Sequence, residues 1–355
     1  MTPIRKSTRR YEDWLRKQLH GDVVAQDLAE KHDKMRESAF LFLRATYWRW
    51  AETILDVCPD LANAPQVLAV GDIHLENYGT WRDRDGRLAW GVNDFDEAAE
   101  MPYVLDLVRL AASALLGRGA RRITDAEICT AILRGYRQGL DTPRPVVLDR
   151  DKPWLRKLVV ASEKERAKFW KKIAAVRAKP APARYKKAIA AAMPEPRLSI
   201  KTARRSAGAG SLGRPRWIGT ADWRGELVIR EAKALVTSAW SRVHGPGHGA
   251  SRAGELANGR FRSPDPWYLI KDGVVVHRLS PDNRKIEVEK DRPGLLTPEV
   301  LQIMGLELAN VHLGAADRRH AIKRNLDMRK RGWLGANARK ASHAIAQEYK
   351  DWKAR

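Results

Sequence analysis

Apolar residues recur every three or four positions in several parts of the chain, the spacing that aligns them on one face of an α-helix. The sequence therefore predicts helices over residues 35–57, 103–116, 125–139, 152–178 and 298–314. Thr124 precedes the third of these stretches and Pro298 opens the last one, and both residue types favour helix starts.

Short apolar runs between turn residues predict strands. They cover residues 66–70, 87–92, 198–202, 216–220, 227–231, 268–270 and 274–279. Since most of them follow residue 198, we predict an α+β fold in four parts. These are a segment 1–140 with the candidate catalytic loops, a basic helical linker 141–197, a β-rich segment 198–296, and C-terminal helices with a basic tail over 297–355.

The charge of the chain is strongly positive, with 66 Lys and Arg against 43 Asp and Glu. Such an excess attracts polyanions, among them nucleic acid and nucleotide phosphates. It concentrates in residues 152–187 and 318–355, whereas residues 71–106 are acidic, as expected around a metal site. The basic helices make nucleic acid an alternative partner.

The location of the protein is predicted from what the sequence lacks. No apolar run approaches the ~20 residues that a membrane helix needs. The basic start has no apolar secretion segment behind it. Only Cys58 and Cys129 are present, too few for a disulfide framework or a four-cysteine zinc site. We therefore expect a cytoplasmic protein without a membrane span.

The first candidate site follows the strand predicted at 66–70, in the run Gly-Asp72-Ile-His74-Leu-Glu-Asn77. Phosphoryl transfer needs a carboxylate that orients or deprotonates the attacking hydroxyl, and oxygen ligands that hold Mg²⁺ on the phosphates. An Asp followed five positions later by an Asn provides both groups in kinase catalytic loops. Asp72 is therefore a candidate catalytic base, and Asn77 a candidate metal ligand.

A second acidic group follows the strand predicted at 87–92, in the run Asn-Asp94-Phe-Asp96-Glu. In kinases the Asp at the end of this strand binds the nucleotide phosphates through a metal ion. Asp94 and Asp96 are the corresponding candidate metal ligands. The chain between Asp72 and Asp94 is expected to form a hairpin-like connection, so that both carboxylates can reach one cleft.

A glycine-rich run, Gly208-Ala-Gly210-Ser211-Leu-Gly213, lies between two predicted strands. Glycines allow backbone amides to approach phosphates closely. Because a strand follows rather than a helix, a kinase-type glycine hairpin is favoured over a dinucleotide fold. Arg230 and Lys233 lie further on, where kinases keep a strand cation that pairs with the nucleotide phosphates.

These motifs together resemble the bacterial family named domain of unknown function 2252. The resemblance extends over roughly residues 30–320 and rests on residues 35–44, 71–77, 93–97, 208–213 and 230–232. That family is similar to aminoglycoside phosphotransferases and other kinase-like enzymes. The resemblance implies a kinase-like two-lobed fold with extra basic helices, ATP and Mg²⁺ as cofactors, and the roles given above for Asp72, Asn77 and Asp94. It also implies that Asp106 is a structural partner below the catalytic loop.

The chain departs from the kinase pattern in the order of its motifs and in the residue that provides the strand cation. The catalytic and metal loops precede the glycine hairpin, which a circular permutation would explain. Arg230 replaces the usual strand Lys, with Lys233 expected on the opposite face of the strand, so an inactive nucleotide-binding relative stays an alternative. Ala45 stands where relatives tend to carry Gly, a smaller deviation.

Three functions therefore compete. The leading one is a Mg-ATP-dependent phosphotransferase that acts on a hydroxyl of a small molecule or protein. The second is a non-catalytic nucleotide-binding or nucleic-acid-binding protein. The third, a metallophosphoesterase, is suggested by Asp72 and His74, but the later Gly-Asp and Gly-Asn-His motifs of such enzymes are missing from the sequence.

Overall fold

A computed structural model describes residues 2–149, 152–206, 208, 210–245, 249–283 and 296–354. Its helices are α1 (Ile4–Gln18), α2 (Ala25–Glu37), α3 (Ala39–Ala45), α4 (Tyr47–Val57), α5 (Tyr103–Gly117), α6 (Asp125–Asp141), α7 (Pro153–Val159), α8 (Glu163–Ala174), α9 (Ala183–Ala191), α10 (Ala239–His244), α11 (Ala253–Ala257), α12 (Pro298–Gly314), α13 (Arg319–Met328) and α14 (Trp333–Lys353). Its strands are β1 (Gln66–Ala69), β2 (Tyr78–Arg82), β3 (Leu88–Val92), β4 (Ala99–Pro102), β5 (Val146–Val147), β6 (Lys201–Arg204), β7 (Arg216–Trp223), β8 (Glu226–Ala234), β9 (Leu269–Lys271) and β10 (Val274–Arg278). The predicted α+β class is confirmed.

Two of the predicted helices are interrupted. The stretch 35–57 breaks at Ser38, whose side chain accepts a hydrogen bond from Leu41 N and so starts α3, and again at Thr46. The single helix predicted over 152–178 is wrong, because Ser162 and Glu165 form a capping box that begins α8. Helical periodicity continues through such breaks, so it cannot reveal them.

Other helix starts follow the predicted residues. The Thr124 side chain caps α6, and Glu127 completes the capping box by accepting from the Thr124 backbone N–H. Pro298 occupies the first turn of α12, and Thr297 before it accepts a hydrogen bond from Val300 N. Both starts confirm predictions made from local sequence alone.

Three sheets organise the strands of the described chain. β6 to β10 form a five-stranded antiparallel sheet in the order β6-β7-β8-β10-β9. β2, β3 and β5 form a three-stranded sheet, and β1 pairs with β4. The strand β2 was not predicted, although β3 was. The glycine-rich run connects β6 to β7, which pair antiparallel, so the predicted strand–loop–strand hairpin is confirmed.

Helix α12 packs tightly against α6 and also contacts β1 and β3. A Cβ atom added to Gly139 of α6 would lie 2.5 Å from Leu306 O, so the two helix backbones meet through glycine. The Tyr78 hydroxyl at the start of β2 donates to Met304 O over 3.1 Å. The last third of the chain therefore supports the first strands, whose loops carry the candidate site.

The core is continuous across these elements, and aromatic residues of α4 and β3 contribute to it with α5 and α12. No helix among the described residues has both the length and the apolar character needed to cross a membrane.

Candidate functional site

The loop after β1 is fixed by contacts that depend on its backbone. Gly71 has φ +79°, and a Cβ atom there would lie 2.5 Å from Glu97 O and 2.6 Å from the Tyr47 hydroxyl. Asp106 of α5, which is fully buried, accepts hydrogen bonds from Val70 N at 2.8 Å and Gly71 N at 3.0 Å. Asp106 therefore lies directly beneath the loop that carries Asp72.

Asp72 forms an ion pair with Arg109, a completely buried residue of α5. The same guanidinium donates to Leu43 O at 3.0 Å and lies 4.9 Å from the ring centre of Tyr47 and 5.1 Å from that of Trp50. Arg109 is thus held in one position by α3, α4 and the loop. The Asp72 side chain keeps 21% of its surface exposed, towards the cleft described below.

Burial raises the pKa of the Asp72 carboxyl from 3.8 to about 6, although the charge of Arg109 and its hydrogen bond act in the opposite direction. The nearby carboxylates of Glu97 and Asp94 raise the pKa further. A carboxyl group with this pKa is mostly ionised at neutral pH and accepts a proton more readily than an ordinary aspartate.

The Asn77 side chain forms hydrogen bonds to both candidate loops, the one with Asp72 and the one with Asp94. Its side-chain Nδ2 donates to Asp72 O at 3.1 Å and to Asp94 O at 3.2 Å. Its Oδ1 is buried and has no hydrogen-bond donor within the described part of the chain. The side-chain oxygen of Asn77 is therefore an acceptor that a bound cation could satisfy.

The acidic group after β3 meets two cations from much later in the sequence. Lys233 of β8 lies 3.4 Å from Asp94 Oδ1 and 2.5 Å from Asp96 Oδ2. Arg214 lies 3.3 Å from Asp96 Oδ2 and 2.5 Å from Glu97 Oε1. These pairs join the five-stranded sheet to the loop after β3 and leave Asp94 the most exposed of the three carboxylates.

The oxygen atoms around Asn77 and Asp94 are of the kind that Mg²⁺ prefers as ligands. No group of three or more His, Cys, Asp or Glu side chains in the described ranges is arranged to hold a metal ion by itself. Protein sites for Mg²⁺ in phosphoryl transfer usually supply only one or two carboxylates, and the phosphates provide further oxygens. The unsatisfied Asn77 Oδ1 and the partly exposed Asp94 fit such a shared site.

The glycine-rich run lies against Asp72. A Cβ atom on Gly210 would lie 3.3 Å from Asp72 Oδ2 and 3.0 Å from Arg44 O. Lys31 of α2, which is 2% exposed, donates to Gly210 O at 3.1 Å, and burial lowers its pKa to about 7. Ser211 Oγ accepts from Arg216 at 2.7 Å. Within this run Ala209 lies outside the described residues.

A single cleft of about 820 Å³ collects most of the predicted site residues. They are Asp72, Asn77, Asp94, Asp96, Gly208, Gly210, Ser211 and Lys233. Gly213 does not line it; its backbone has φ +94° and packs against Leu28. Arg230 does not line it either, because its side chain lies on the opposite face of β8 and donates to Ala192 O at 2.6 Å. Of the two β8 cations predicted for the site, Lys233 is therefore the one that faces the cleft.

Among the cations that sequence reasoning missed are Arg109, Arg214 and Lys31, which contact the candidate loops or the glycine-rich run. Arg109 could have been found, since it stands in the mainly apolar helix α5 and a buried Arg requires a partner. Arg214 directly follows the glycine-rich run, but its partners Asp96 and Glu97 lie more than a hundred residues earlier, so no local pattern reveals the contact. Nothing in the sequence marks Lys31 as a buried residue of the site, because α2 has the composition of a solvent-exposed polar helix.

Residues 23–197 match the family described as "Uncharacterized protein conserved in bacteria (DUF2252)". The match covers just under half of the chain and includes the loops with Asp72, Asn77 and Asp94. The glycine-rich run and Lys233 lie outside it. A search of curated proteins found no match, and neither did a search of solved structures.

The raised pKa of Asp72 predicts an unusual pH dependence of stability. The folded protein holds this proton more tightly than the unfolded chain, so stability falls as the pH rises from about 4 to about 6. Relative to Asp72→Asn, the wild type should lose roughly 1–3 kcal/mol of unfolding free energy across this window, measured by urea unfolding. Asp85→Asn, at an exposed turn, is the control. A constant difference between wild type and Asp72→Asn from pH 4 to 7 contradicts the assignment.

Proposed function

We propose that this protein is a Mg-ATP-dependent phosphotransferase that acts on a hydroxyl group. The observation that carries the proposal is the meeting of Asp72, Asn77 and Asp94 with Lys233 in one cleft. Lys233 comes from a strand more than a hundred residues after the other three, and each of the four residues matches a chemical requirement of phosphoryl transfer.

The arrangement of the sheet supports a kinase-like, circularly permuted fold as part of this proposal. In protein kinases a glycine-rich loop covers the phosphates and the phosphate-binding Lys stands on the third strand. Here the glycine-rich run joins β6 to β7, and Lys233 stands on β8, the next strand in both sequence and sheet. The helix α12 then leads back to β1 through direct contact. In the proposed permutation, the junction between the glycine-loop part and the catalytic-loop part, which is continuous in a kinase chain, would here be a contact in space between α12 and β1.

In the proposed reaction the acceptor hydroxyl oxygen forms a bond to the terminal phosphorus of ATP, and the bond from that phosphorus to the bridging oxygen breaks, releasing ADP. Asp72 takes the hydroxyl proton, and Arg109 keeps the carboxylate oriented. Lys233 neutralises phosphate charge from the sheet side. Asn77 and Asp94 would hold Mg²⁺, which supplies further neutralisation of the phosphate oxygens.

The placement of Lys233 favours an active enzyme over an inactive nucleotide-binding relative. The concern raised by the sequence was that Arg230 replaces the strand Lys. Arg230 faces away from the cleft, whereas Lys233 lies within ion-pair distance of Asp94 and Asp96. The required amine is therefore present two residues beyond Glu231, on the same strand face. A metallophosphoesterase would need a metal-binding cluster, and none occurs in the described residues.

Nucleotide binding and turnover should depend on different carboxylates. Mg-ATP should raise the melting temperature of the wild type, and Asp94→Ala should abolish that shift because a metal ligand is lost. Asp72→Asn should retain the shift, because Asn77 and Asp94 are unchanged, but should lose roughly 10²–10⁴ in phosphotransfer rate, because the group that accepts the hydroxyl proton is removed. Asp85→Ala should change neither quantity. No melting shift of the wild type at millimolar Mg-ATP would refute the proposal.

The two cations of β8 provide a matched pair. Lys233→Met removes the cation from the cleft and should weaken Mg-ATP binding about tenfold or more, by calorimetry, because a charge-assisted contact is lost. Arg230→Met removes a cation from the other face of the same strand and should leave the dissociation constant unchanged, although stability falls. If both variants bound Mg-ATP like the wild type, Lys233 would have no role in the site.

A further inference from the structure

Helix α8 forms a wall of the cleft and is anchored on both sides of it. On the sheet side, Phe169 and Ile173 of α8 pack with Val176 against a small apolar cluster made of Ala203, Ile218, Ile229 and Leu279. On the other side, Arg166 donates to Asp282 Oδ1 at 2.6 Å, and Asp282 O accepts from the Thr80 hydroxyl at 2.6 Å. The helix is thus attached both to the five-stranded sheet and to the β2–β3 hairpin between the two candidate loops.

One face of α8 points into the cleft. Glu165, Lys168, Phe169 and Lys172, which lie three and four positions apart, all line it. Glu165 accepts from Ser162 N at 2.8 Å in the capping box, so its charge is engaged at the helix start. Lys168 and Lys172 are exposed and have no carboxylate within ion-pair distance in the portion of the chain that the structure describes.

The cations of the sheet differ from these lysines in their partners. Lys233 contacts Asp94 and Asp96, and Arg216 forms an ion pair with Glu231. Lys168 and Lys172 add two positive charges from another wall of the same cleft, and neither is paired with a carboxylate of the described residues. Their four-residue spacing places both amines on one side of the helix, where they can bind one anionic group or two adjacent ones.

We propose that Lys168 and Lys172 bind the anionic part of the phosphate acceptor, and that the acceptor is a hydroxyl compound which already carries phosphate. This inference rests on the proposed phosphotransferase function and adds the chemical class of its substrate. The phosphate can belong to a small sugar phosphate or to a single-stranded nucleic acid with a free hydroxyl end. Both present a hydroxyl within a few bonds of a phosphate.

The helix offers a matched control for this proposal. Lys164 and Lys171 are exposed on the same helix but do not line the cleft. The variants to compare are therefore Lys168→Ala/Lys172→Ala and Lys164→Ala/Lys171→Ala, which remove the same net charge. Two probes distinguish the sources of phosphate: ribose 5-phosphate, with ribose as its neutral counterpart, and a labelled single-stranded oligonucleotide with a free 5′ hydroxyl.

We expect at least one of the two phosphate-containing probes to bind. The double variant Lys168→Ala/Lys172→Ala, called the cleft pair, should weaken that binding about tenfold or more, whereas Lys164→Ala/Lys171→Ala, the control pair, should not. Ribose should bind at least tenfold more weakly than ribose 5-phosphate. If the oligonucleotide is the ligand, the plot of log affinity against log salt should become less steep in the cleft pair. Its slope should decrease in magnitude by about 1.4, since each lost phosphate contact accounts for about 0.7.

Three outcomes would overturn the proposal. The first is an equal loss of probe affinity in both double variants, which indicates binding along the helix surface. The others are no binding of either ribose 5-phosphate or the oligonucleotide, and equal binding of ribose and ribose 5-phosphate when the oligonucleotide does not bind. The melting shift with Mg-ATP should persist in both double variants. Its absence in every protein, including the wild type, would count against the phosphotransferase, while probe binding would still decide whether the anion site exists.

Discussion

The fold around the cleft depends on neutralising carboxylates that the end of β3 places in a buried position. Asp96 and Glu97 are each only 8% exposed. Their partners Lys233 and Arg214 are each 4% exposed and come from elements more than a hundred residues later. Removing one partner from a buried ion pair typically costs about 3–5 kcal/mol, because the remaining charge is left without compensation. The sheet therefore cannot move away from the acidic loops without a large loss of stability.

The same constraint explains how a chain with an unusual motif order could assemble a phosphotransferase site. Charge compensation brings β8 and the glycine-rich run to the loops that carry Asp72 and Asp94, whatever their order in the sequence. Arg109 and Asp106, both from α5, hold the first loop from below. In the proposed site, catalysis would use the carboxylates that remain partly exposed, Asp72 and Asp94, while the more deeply buried Asp96 and Glu97 maintain the architecture.

The sequence predicted the chemistry of the loops better than the packing that positions them. Asp72 and Asp94 were found because an acidic side chain just after a short apolar strand is a local signal. Asn77 was found from its position five residues after Asp72, and the structure brings all three together. The interrupted helix 35–57 and the separation of α7 from α8 were not predicted, because capping interactions compete with periodicity over only a few residues. The choice between Lys233 and Arg230 required the register of β8 and the element behind it, which depends on contacts far apart in the chain.

The proposed phosphotransferase site is tested most directly by a crystal structure with a non-hydrolysable ATP analogue and Mg²⁺. We expect the terminal phosphates to lie between Lys233 and the loops of Asn77 and Asp94, with the metal ion bound to the Asn77 side-chain oxygen and to Asp94. A nucleotide bound elsewhere on the molecule, with Lys233 still paired to Asp94 and Asp96, would contradict it.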